Sequence, residues 1–314
     1  MTIGALWRGW RDVLARQGFA TAALDAKLLT GQGLGLDMLA LTVREDMPVE
    51  ETGAARVAAL IQRRLAGESV ARIIGEREFY GLPFGLNAAT LEPRPETELL
   101  VDLALKDLPE NALMLDLGTG SGCIPIAILA NRPDVSGVAT DISAEALAIA
   151  AVNAARNGVA ERLRFAQGDW FGALIENPHP SPPHKGEGAS SVAGSAPPPS
   201  TGGGRVGVPP QRLHLITSNP PYIDSAVVET LAPEVKDFDP RLALDGGPDG
   251  LGPYRIIAAT AGRHLVPGGR VLVEIGHDQG VAVAELFARS GFGEIAVHKD
   301  LAGLDRVVCA HHMG

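Results

Sequence analysis

After the first hundred residues, short apolar runs with strand character alternate with segments of helical periodicity. The run ALMLDLG at 112–118 precedes a helix that starts near Ile124, and SGVATDIS at 136–143 precedes a helical segment at 144–158. A third run lies at 162–169. Successive strands separated by helices are typical of a parallel sheet that is covered on both faces.

The alternation is interrupted and then resumes with RLHLITSN at 212–219. Two more helices are expected at 254–265 and 280–291, with a strand at 269–276 between them. The last two strands, EIAVHKD and RVVCAHH, are close enough in sequence to form an antiparallel pair at the sheet edge. The sequence therefore predicts an α/β fold with a Rossmann-like sheet.

The region before this sheet has a different pattern. In residues 1–74, apolar side chains recur three and four residues apart without strand alternation, which predicts a small all-α domain that caps the sheet or docks a partner. Gly, Pro and aromatic residues punctuate 75–100, which predicts a linker containing a short hairpin. Residues 101–314 then form the sheet domain.

Composition limits the partners and the compartment. The formal net charge of -10 argues against binding nucleic acid mainly by phosphate neutralisation. No apolar stretch reaches the roughly 20 residues of a membrane span, so we expect no membrane partner. The two cysteines, Cys123 and Cys309, lie far apart without metal-ligand spacing, which predicts no metal site and a reducing, cytoplasmic location.

A segment rich in Pro, Gly and Ser at about 176–212 separates the third strand from the fourth. This composition cannot bury enough apolar surface to offset the entropy of ordering, so we expect a disordered insertion. His179 and His184 lie inside it, and we expect them to be solvated rather than to bind a metal.

A glycine turn, DLGTGSG at 116–122, follows the first strand and opens a helix. Glycines at Gly118, Gly120 and Gly122 allow a sharp turn and a close approach of the backbone to a ligand. About 20 residues later Asp141 ends the second strand, where a carboxylate accepts hydrogen bonds from ribose hydroxyls. The pattern indicates a nucleotide-type cofactor.

Two cofactor classes suit this turn, dinucleotides and S-adenosylmethionine. Asp116 stands where it would repel a pyrophosphate but would suit the amino group of a methionine moiety, so we favour S-adenosylmethionine. GDWF at 168–171 ends the third strand at the same rim. There Asp169 is placed to accept from an adenine amino group, and Trp170 or Phe171 to lie against the purine.

The fourth strand ends in NPPY. The side chain of Asn219 and the carbonyl of Pro220 form a rigid pair of acceptors, because neither Pro220 nor Pro221 has a competing N–H. This pair matches an NH2 group attached to a flat π system, with Tyr222 covering the flat face. Holding both hydrogens favours the positive charge that develops on a nitrogen receiving a methyl group.

Together, the motifs GEREFYG, PRPETE, DLGTGSG, GDWF, SNPPYI, DPRLALDGGPDGL and EIGHDQG resemble the peptide chain release factor glutamine methyltransferases, the PrmC/HemK family. The resemblance implies a class I S-adenosylmethionine-dependent methyltransferase sheet behind a small all-α domain. It also implies methylation of the glutamine side chain in the Gly-Gly-Gln loop of release factors. The implied cofactor residues are Gly118, Thr119, Gly120, Ser121, Gly122, Asp141, Asp169, Trp170 and Asn219.

The substrate residues implied by the resemblance are Asn219, Pro220, Pro221 and Tyr222, of which we assign catalytic roles to Asn219, Pro220 and Tyr222. In PRPETE, Arg94, Glu96 and Glu98 either shape the pocket or form local salt bridges that order the linker. We expect a monomer whose partner is a release factor.

Two other functions remain open at this point. An amino methyltransferase acting on adenine in DNA or guanine in ribosomal RNA would use the same acceptor pair, but it needs a phosphate-binding surface that the acidic chain does not indicate. A noncatalytic S-adenosylmethionine-binding module is disfavoured, because it would leave NPPY without a purpose.

We expect deletion of residues 178–210 to leave folding and cofactor affinity nearly unchanged, because the segment lacks core-forming residues. Thermal unfolding and calorimetric cofactor titration of the shortened chain test this. A large fall in melting temperature would show that the segment belongs to the folded core.

Overall fold

The computed structural model describes residues 1–175, 206–207 and 212–314 of the chain. The chain begins with a group of helices, α1 (Ile3–Arg16), α2 (Ala22–Leu34), α3 (Met38–Val43), α4 (Glu51–Leu65) and α5 (Val70–Ile74). Thr2, Asp37 and Ser69 cap the amino ends of α1, α3 and α5 through their side chains. Leu14, Leu29 and Ile61 are fully buried between the helices, so this region has its own apolar core.

A hairpin connects the helices to the sheet. Strands β1 (Glu76–Phe79) and β2 (Leu82–Gly85) pair antiparallel, which confirms the predicted hairpin. Phe79 and Phe84 are fully buried beneath it. A 3-10 turn at Pro95–Thr97 and helix α6 (Glu98–Leu105) then lead into the sheet.

A seven-stranded sheet, counted over the described residues, forms the centre of the fold. Its strands are β3 (Leu113–Leu117), β4 (Ser136–Asp141), β5 (Leu163–Gln167), β8 (Leu213–Ser218), β9 (Leu265–Glu274), β10 (Phe292–Lys299) and β11 (Asp305–His312), in the order β10-β11-β9-β8-β3-β4-β5. The five strands from β9 to β5 are parallel. β11 pairs antiparallel with β9, and β10 pairs antiparallel with β11. The predicted α/β sheet and its antiparallel edge pair are confirmed.

Helices cover both faces of the sheet, namely α7 (Cys123–Asn131), α8 (Ala144–Arg156), α11 (Gly252–Ala261) and α12 (Gly280–Arg289). Alternation along β3 separates two apolar cores: Met114 packs with the hairpin and α7 on one face, and Leu115 packs with α11 and α12 on the other. The sheet is therefore buried on both sides, as parallel sheets are.

Two details differ from the predicted boundaries. The helix predicted at 254–265 ends at Ala261, where a turn leads directly into β9. The long loop after β8 contains two short helices, α9 (Ser225–Val228) and α10 (Pro233–Lys236), which lack the periodic length that a sequence pattern can reveal.

The insertion predicted at 176–212 lies outside the described residues except for three positions. Val206–Gly207 forms strand β7, which pairs in parallel with β6 (Leu174–Ile175), and Arg212 precedes β8. Across the described ranges, every helix is too short or too polar to cross a lipid bilayer.

Arginines of the helical region bind the loop that follows β8. Arg72 on α5 donates to Asp239 at 2.5 Å and to the carbonyl of Thr90 at 2.6 Å. Arg94 in the linker donates to the other oxygen of Asp239 at 2.9 Å. Arg64 joins Asp25 to Glu234 on α10 in the same way. The helical region, the linker and the loop are thus connected by hydrogen-bonded ion pairs.

Replacement of Asp239 should destabilise the fold, because the side chain of Asp239 is 2% exposed and that of Arg72 only 7%. Asp239→Ala leaves a nearly buried guanidinium without its partner, which costs about 3–5 kcal/mol in comparable pairs. Urea unfolding measures this loss.

The matched control is Glu285→Ala, which removes the exposed ion pair between Glu285 and Arg289 and should cost less than about 0.5 kcal/mol. Equal stabilities for the two variants would show that the Asp239 bridge contributes nothing to the fold.

Candidate active site

A cavity of about 510 Å³ opens at the carboxyl ends of the parallel strands. Strand order reverses between β3 and β8, and ligands of open α/β sheets bind at such a reversal. Leu117 pairs with Ser218 across these two strands, so Gly118 and Asn219 leave neighbouring strand ends at the same level. The predicted residues that line the cavity are Gly118, Thr119, Gly120, Ser121, Asp141, Asp169, Trp170, Asn219 and Pro221.

The glycines of the turn divide into two roles. Gly118 and Gly120 have positive φ, 68° and 54°, and a Cβ at either position would meet no described atom within 4 Å. Both line the cavity, so a ligand can approach their backbone closely. Gly122 also has positive φ, but a Cβ there would lie 2.8 Å from Ile126. Gly122 therefore serves helix packing and is not among the described residues that line the cavity.

Neighbouring elements fix the turn. The amide of Thr119 donates to the carbonyl of Thr140 at 2.9 Å. From α8, the fully buried Asn153 donates to the carbonyl of Ser121 at 2.9 Å and exchanges two hydrogen bonds with the backbone of Gly85 in the hairpin. The turn is thus held between β4 and the hairpin.

Asp141 is oriented by two backbone donors. Gly120 donates to one carboxylate oxygen at 2.8 Å and Ser143 to the other at 2.9 Å. Burial raises the pKa of Asp141, and these hydrogen bonds oppose the rise. Each oxygen keeps a further lone pair, so the carboxylate can also accept from hydroxyl groups in the cavity.

Strained backbone places the aromatic ring after β5. Trp170 has φ 48°, a left-handed conformation that bulky residues rarely adopt. Such strain persists where the surroundings enforce it, commonly at binding sites. Trp170 lines the cavity beside the exposed Asp169. Phe171, the other aromatic of GDWF, instead stacks on His264 and is buried.

Asp116 is placed differently from the sequence expectation. It is buried within β3 below the turn, where Thr217 donates to it at 2.6 Å, and it is not among the described residues lining the cavity. Burial raises its pKa to about 7. Hydrogen bonding from the side chains of Thr217 and Thr119 opposes this rise. Asp116 is therefore held by its neighbours beneath the turn.

Asn219 is held from behind by a chain of hydrogen bonds. Its Nδ2 donates to Thr97 Oγ1 at 3.4 Å, and Thr97 donates to a carboxyl oxygen of Glu274 at 2.6 Å. Thr97 and Glu274 are each 1% exposed. Burial raises the pKa of Glu274, and the Thr97 hydroxyl, the Arg306 guanidinium and a hydrogen bond with the Asn219 side chain oppose this rise, so the pKa is about 7.

The segment after Asn219 is clamped by a glutamine. Gln279 donates from Nε2 to the carbonyl of Tyr222 at 2.9 Å and accepts from the amide of Gly276 at 2.9 Å. Gly250 lies so close that a Cβ there would be 2.4 Å from the Tyr222 carbonyl. The ring of Tyr222 packs on the apolar core, and burial raises its pKa to about 12. Tyr222 and Pro220 are not among the described residues lining the cavity.

The PRPETE segment has both of the expected roles. Arg94 lines the cavity while it binds Asp239, and Glu98 accepts from the amide of Tyr80 in the hairpin at 2.8 Å. Glu96 is exposed. The sequence reading missed Thr97, Ile142, Leu242 and Ile256, which also line the cavity. The position of Thr97 inside PRPETE was the signal in the sequence that could have revealed it.

The strand order, the glycine turn and the placement of Asp141 define a Rossmann-like fold with a nucleotide-type cofactor site, and comparison with known families assigns it to the methyltransferases. A family model described as methyltransferase small domain matches residues 95–179, and one described as PrmC N-terminal domain matches residues 5–75. Release factor glutamine methyltransferase from Agrobacterium fabrum is 42% identical over 313 residues, which cover 98% of this chain and 96% of the relative. The enzyme of the same name from Cereibacter sphaeroides is 42% identical over 95% of this chain and 94% of its own length.

The chain belongs to the release factor glutamine methyltransferase family. A crystal structure of protein-(glutamine-N5) methyltransferase (release factor-specific) from Alicyclobacillus acidocaldarius shares 28% identity and covers 71% of this chain and 94% of its own, with a TM-score of 0.35. The strand order and the family matches show the fold.

Asp116 should make stability depend on pH. Its pKa is raised from 3.8 to about 7 in the folded chain, so the stability from its protonation is present below about pH 4 and is lost as the pH rises to about 7. Asp116→Asn cannot ionise. At pH 8 the variant should exceed the wild type in unfolding free energy by on the order of 2 kcal/mol, and the difference should shrink toward pH 5.

Urea unfolding at several pH values measures this difference. Asp134→Asn is the control, because Arg132 lowers the pKa of that exposed carboxyl, so this variant should gain nothing at pH 8. A difference between Asp116→Asn and wild type that is constant from pH 5 to 8 would contradict the assignment.

Proposed function

We propose that this protein transfers a methyl group from S-adenosylmethionine to the side-chain amide nitrogen of the glutamine in the Gly-Gly-Gln motif of peptide chain release factors. One observation carries the proposal: the pairing of Leu117 with Ser218 brings the glycine turn and Asn219 to one cavity. The names of the full-length relatives support the substrate.

The residues present fit S-adenosylmethionine. Gly118 and Gly120 leave open space at the turn, Asp141 is oriented to accept from ribose hydroxyls, and Trp170 and Asp169 suit the adenine. When bound, this cofactor supplies a methyl group on a positively charged sulfur. Thr119 and Ser121 also line the cavity.

The NPPY segment supplies the acceptor for the reacting amide. We assign Oδ1 of Asn219, which lines the cavity, to one N–H of the glutamine side chain, and the carbonyl of the adjacent, buried Pro220 to the other. The glutamine nitrogen is a poor nucleophile because its lone pair is delocalised. Holding both hydrogens aligns the nitrogen and stabilises its developing positive charge. Pro221 lines the cavity next to Asn219, and Tyr222 anchors the segment by packing on the core.

We assign the partner and location on chemical grounds. The net charge of -10 disfavours nucleic acid as the direct substrate. Both cysteines are unpaired and buried, in keeping with the reducing cytoplasm where translation ends. We assign the helical region at 1–74 to release-factor docking. We also assign the enzyme a monomeric state and no membrane partner.

Incubation with labelled S-adenosylmethionine tests the substrate. The chain is offered unmodified release factor or, separately, DNA and ribosomal RNA, and the product is mapped by peptide mass analysis. A single added methyl on the glutamine of Gly-Gly-Gln supports the proposal. Label found only in nucleic acid would assign the chain to the amino methyltransferases of bases.

Asn219→Ala should reduce kcat by about 10²–10³, the usual cost of losing one preorganised polar contact to the transition state. Cofactor affinity, measured by calorimetry, should change by less than about threefold, because most cofactor contacts are assigned to other segments. Asn131→Ala, at an exposed asparagine on α7, is the matched control. Wild-type kcat in Asn219→Ala would refute the acceptor pair.

A further inference from the structure

We propose that Thr97 and Glu274 are positioning residues that fix the orientation of the Asn219 amide, so that its oxygen rather than its nitrogen faces the substrate. This inference rests on the proposed methylation of an amide NH2. It follows from the direction of the hydrogen bonds that join the three side chains.

The direction of the hydrogen bonds is set by Glu274. An ionised carboxylate accepts hydrogen bonds and cannot donate them, so the Thr97 hydroxyl must donate in its 2.6 Å contact with Glu274. A hydroxyl has a single proton. Toward Asn219 at 3.4 Å, Thr97 can therefore only accept.

The accepting role of the Thr97 hydroxyl determines the orientation of the Asn219 amide. Since Thr97 accepts, the atom of Asn219 that faces it must be Nδ2, and the oxygen on the same planar amide points away from Thr97. Asparagine oxygen and nitrogen are otherwise nearly interchangeable in shape. The acceptors behind the amide distinguish them, namely Thr97 and also Glu274, whose pKa a hydrogen bond with the Asn219 side chain lowers. Asn219 lines the cavity, and the substrate amide needs an acceptor there.

Burial makes the hydrogen bonds among Glu274, Thr97 and Asn219 favour one orientation of the amide. Thr97 and Glu274 are almost inaccessible to solvent, so water does not offer the hydroxyl an alternative acceptor at low cost. The flipped amide would set its oxygen against an oxygen of Thr97 that has no proton to give. It would also set an NH2 group against the NH2 of the substrate.

Protonation of Glu274 would no longer fix which group donates in these hydrogen bonds. A neutral carboxyl can donate to Thr97, which frees the threonine proton for Asn219 and permits the flipped amide. The charged and titratable groups that face Glu274 are Arg306 on β11, Glu96 beside Thr97, Tyr222, Tyr254 on α11 and Cys123 on α7. Burial raises the pKa of Glu274, Arg306 lowers it and Glu96 raises it further, and the pKa that results is about 7.

The first test compares Thr97→Val with Thr97→Ser in the full chain. Valine keeps the shape but removes the hydroxyl, so kcat for release factor methylation should fall by about ten- to hundredfold, less than the full loss of such a contact. Serine keeps the hydroxyl and should stay within about threefold of wild type. The control Thr30→Val removes a buried hydroxyl that has no partner among the described residues and should leave kcat unchanged.

The second test is the pH profile of kcat. The wild type should lose activity as the pH falls through about 7, where Glu274 gains a proton. Glu274→Gln, whose amide both donates and accepts, should have lowered kcat at pH 8 and no such acid limb. Because the pKa of Asp116 is also raised to about 7, retention of the limb in Glu274→Gln would overturn the assignment to Glu274.

A third measurement does not depend on activity. In ¹⁵N spectra, the Asn219 side-chain NH2, assigned by its loss in Asn219→Ala, should exchange slowly with water in the wild type and faster in Thr97→Val. Unchanged exchange together with wild-type kcat in Thr97→Val would overturn the inference. If the wild type methylates no glutamine at all, the proposed function fails, while the exchange measurement still decides the orientation of Asn219.

Discussion

The parallel pairing of β3 with β8 is the constraint on which the site depends. These strands are separated in sequence by two complete crossovers and the insertion, yet Leu117 lies opposite Ser218. Neighbouring parallel strands lie about 4.8 Å apart, so the turn after one strand and the amide after the other border a common space. A slip of one residue would turn Asn219 to the opposite face of the sheet. Met114 and Leu215 belong to one apolar core, whereas Leu115 and Ile216 belong to the other. A slip would exchange the side chains that fill the two cores, so the packing opposes it.

Two buried carboxyl groups flank Asn219. Asp116 lies on β3 and Glu274 ends β9, on either side of β8, and burial raises the pKa of both to about 7. Buried carboxyls oppose folding once they ionise, which suggests a functional reason for their presence. Glu274 is joined to Asn219 through Thr97, and Asp116 lies beneath the glycine turn. The polar groups at this rim thus serve the cavity at some expense of stability.

Most of the fold could be predicted from the sequence, because strand and helix periodicities are local signals. The same holds for the cavity residues that follow strand ends directly, such as Gly118, Asp141 and Asn219, since parallel strands bring their carboxyl ends together. Contacts between distant segments could not be predicted. Thr97 and Glu274 are 177 positions apart, and no periodicity or spacing links them.

The placement of individual side chains was also beyond the sequence. Gly122 stays a predicted cofactor residue, and the structure adds that it allows α7 to pack against α8, because Ile126 and Ala150 occupy the space its Cβ would need. Tyr222 stays a predicted substrate residue, and the structure adds that its ring packs on the core. In both cases the motif fixes the backbone path, and the neighbouring elements decide where the side chain points.

The double bridge from Arg72 and Arg94 to Asp239 has a consequence for recognition. Because Asp239 is almost inaccessible and satisfies two guanidinium groups, the loop containing it is fastened to the helical region in the free enzyme. The conformational entropy of ordering this loop is therefore lost when the chain folds and not when the substrate arrives. A rim that is ordered before binding favours a substrate whose glutamine already extends from the surface of its own protein. It does not favour a mechanism in which the loop folds around a mobile glutamine.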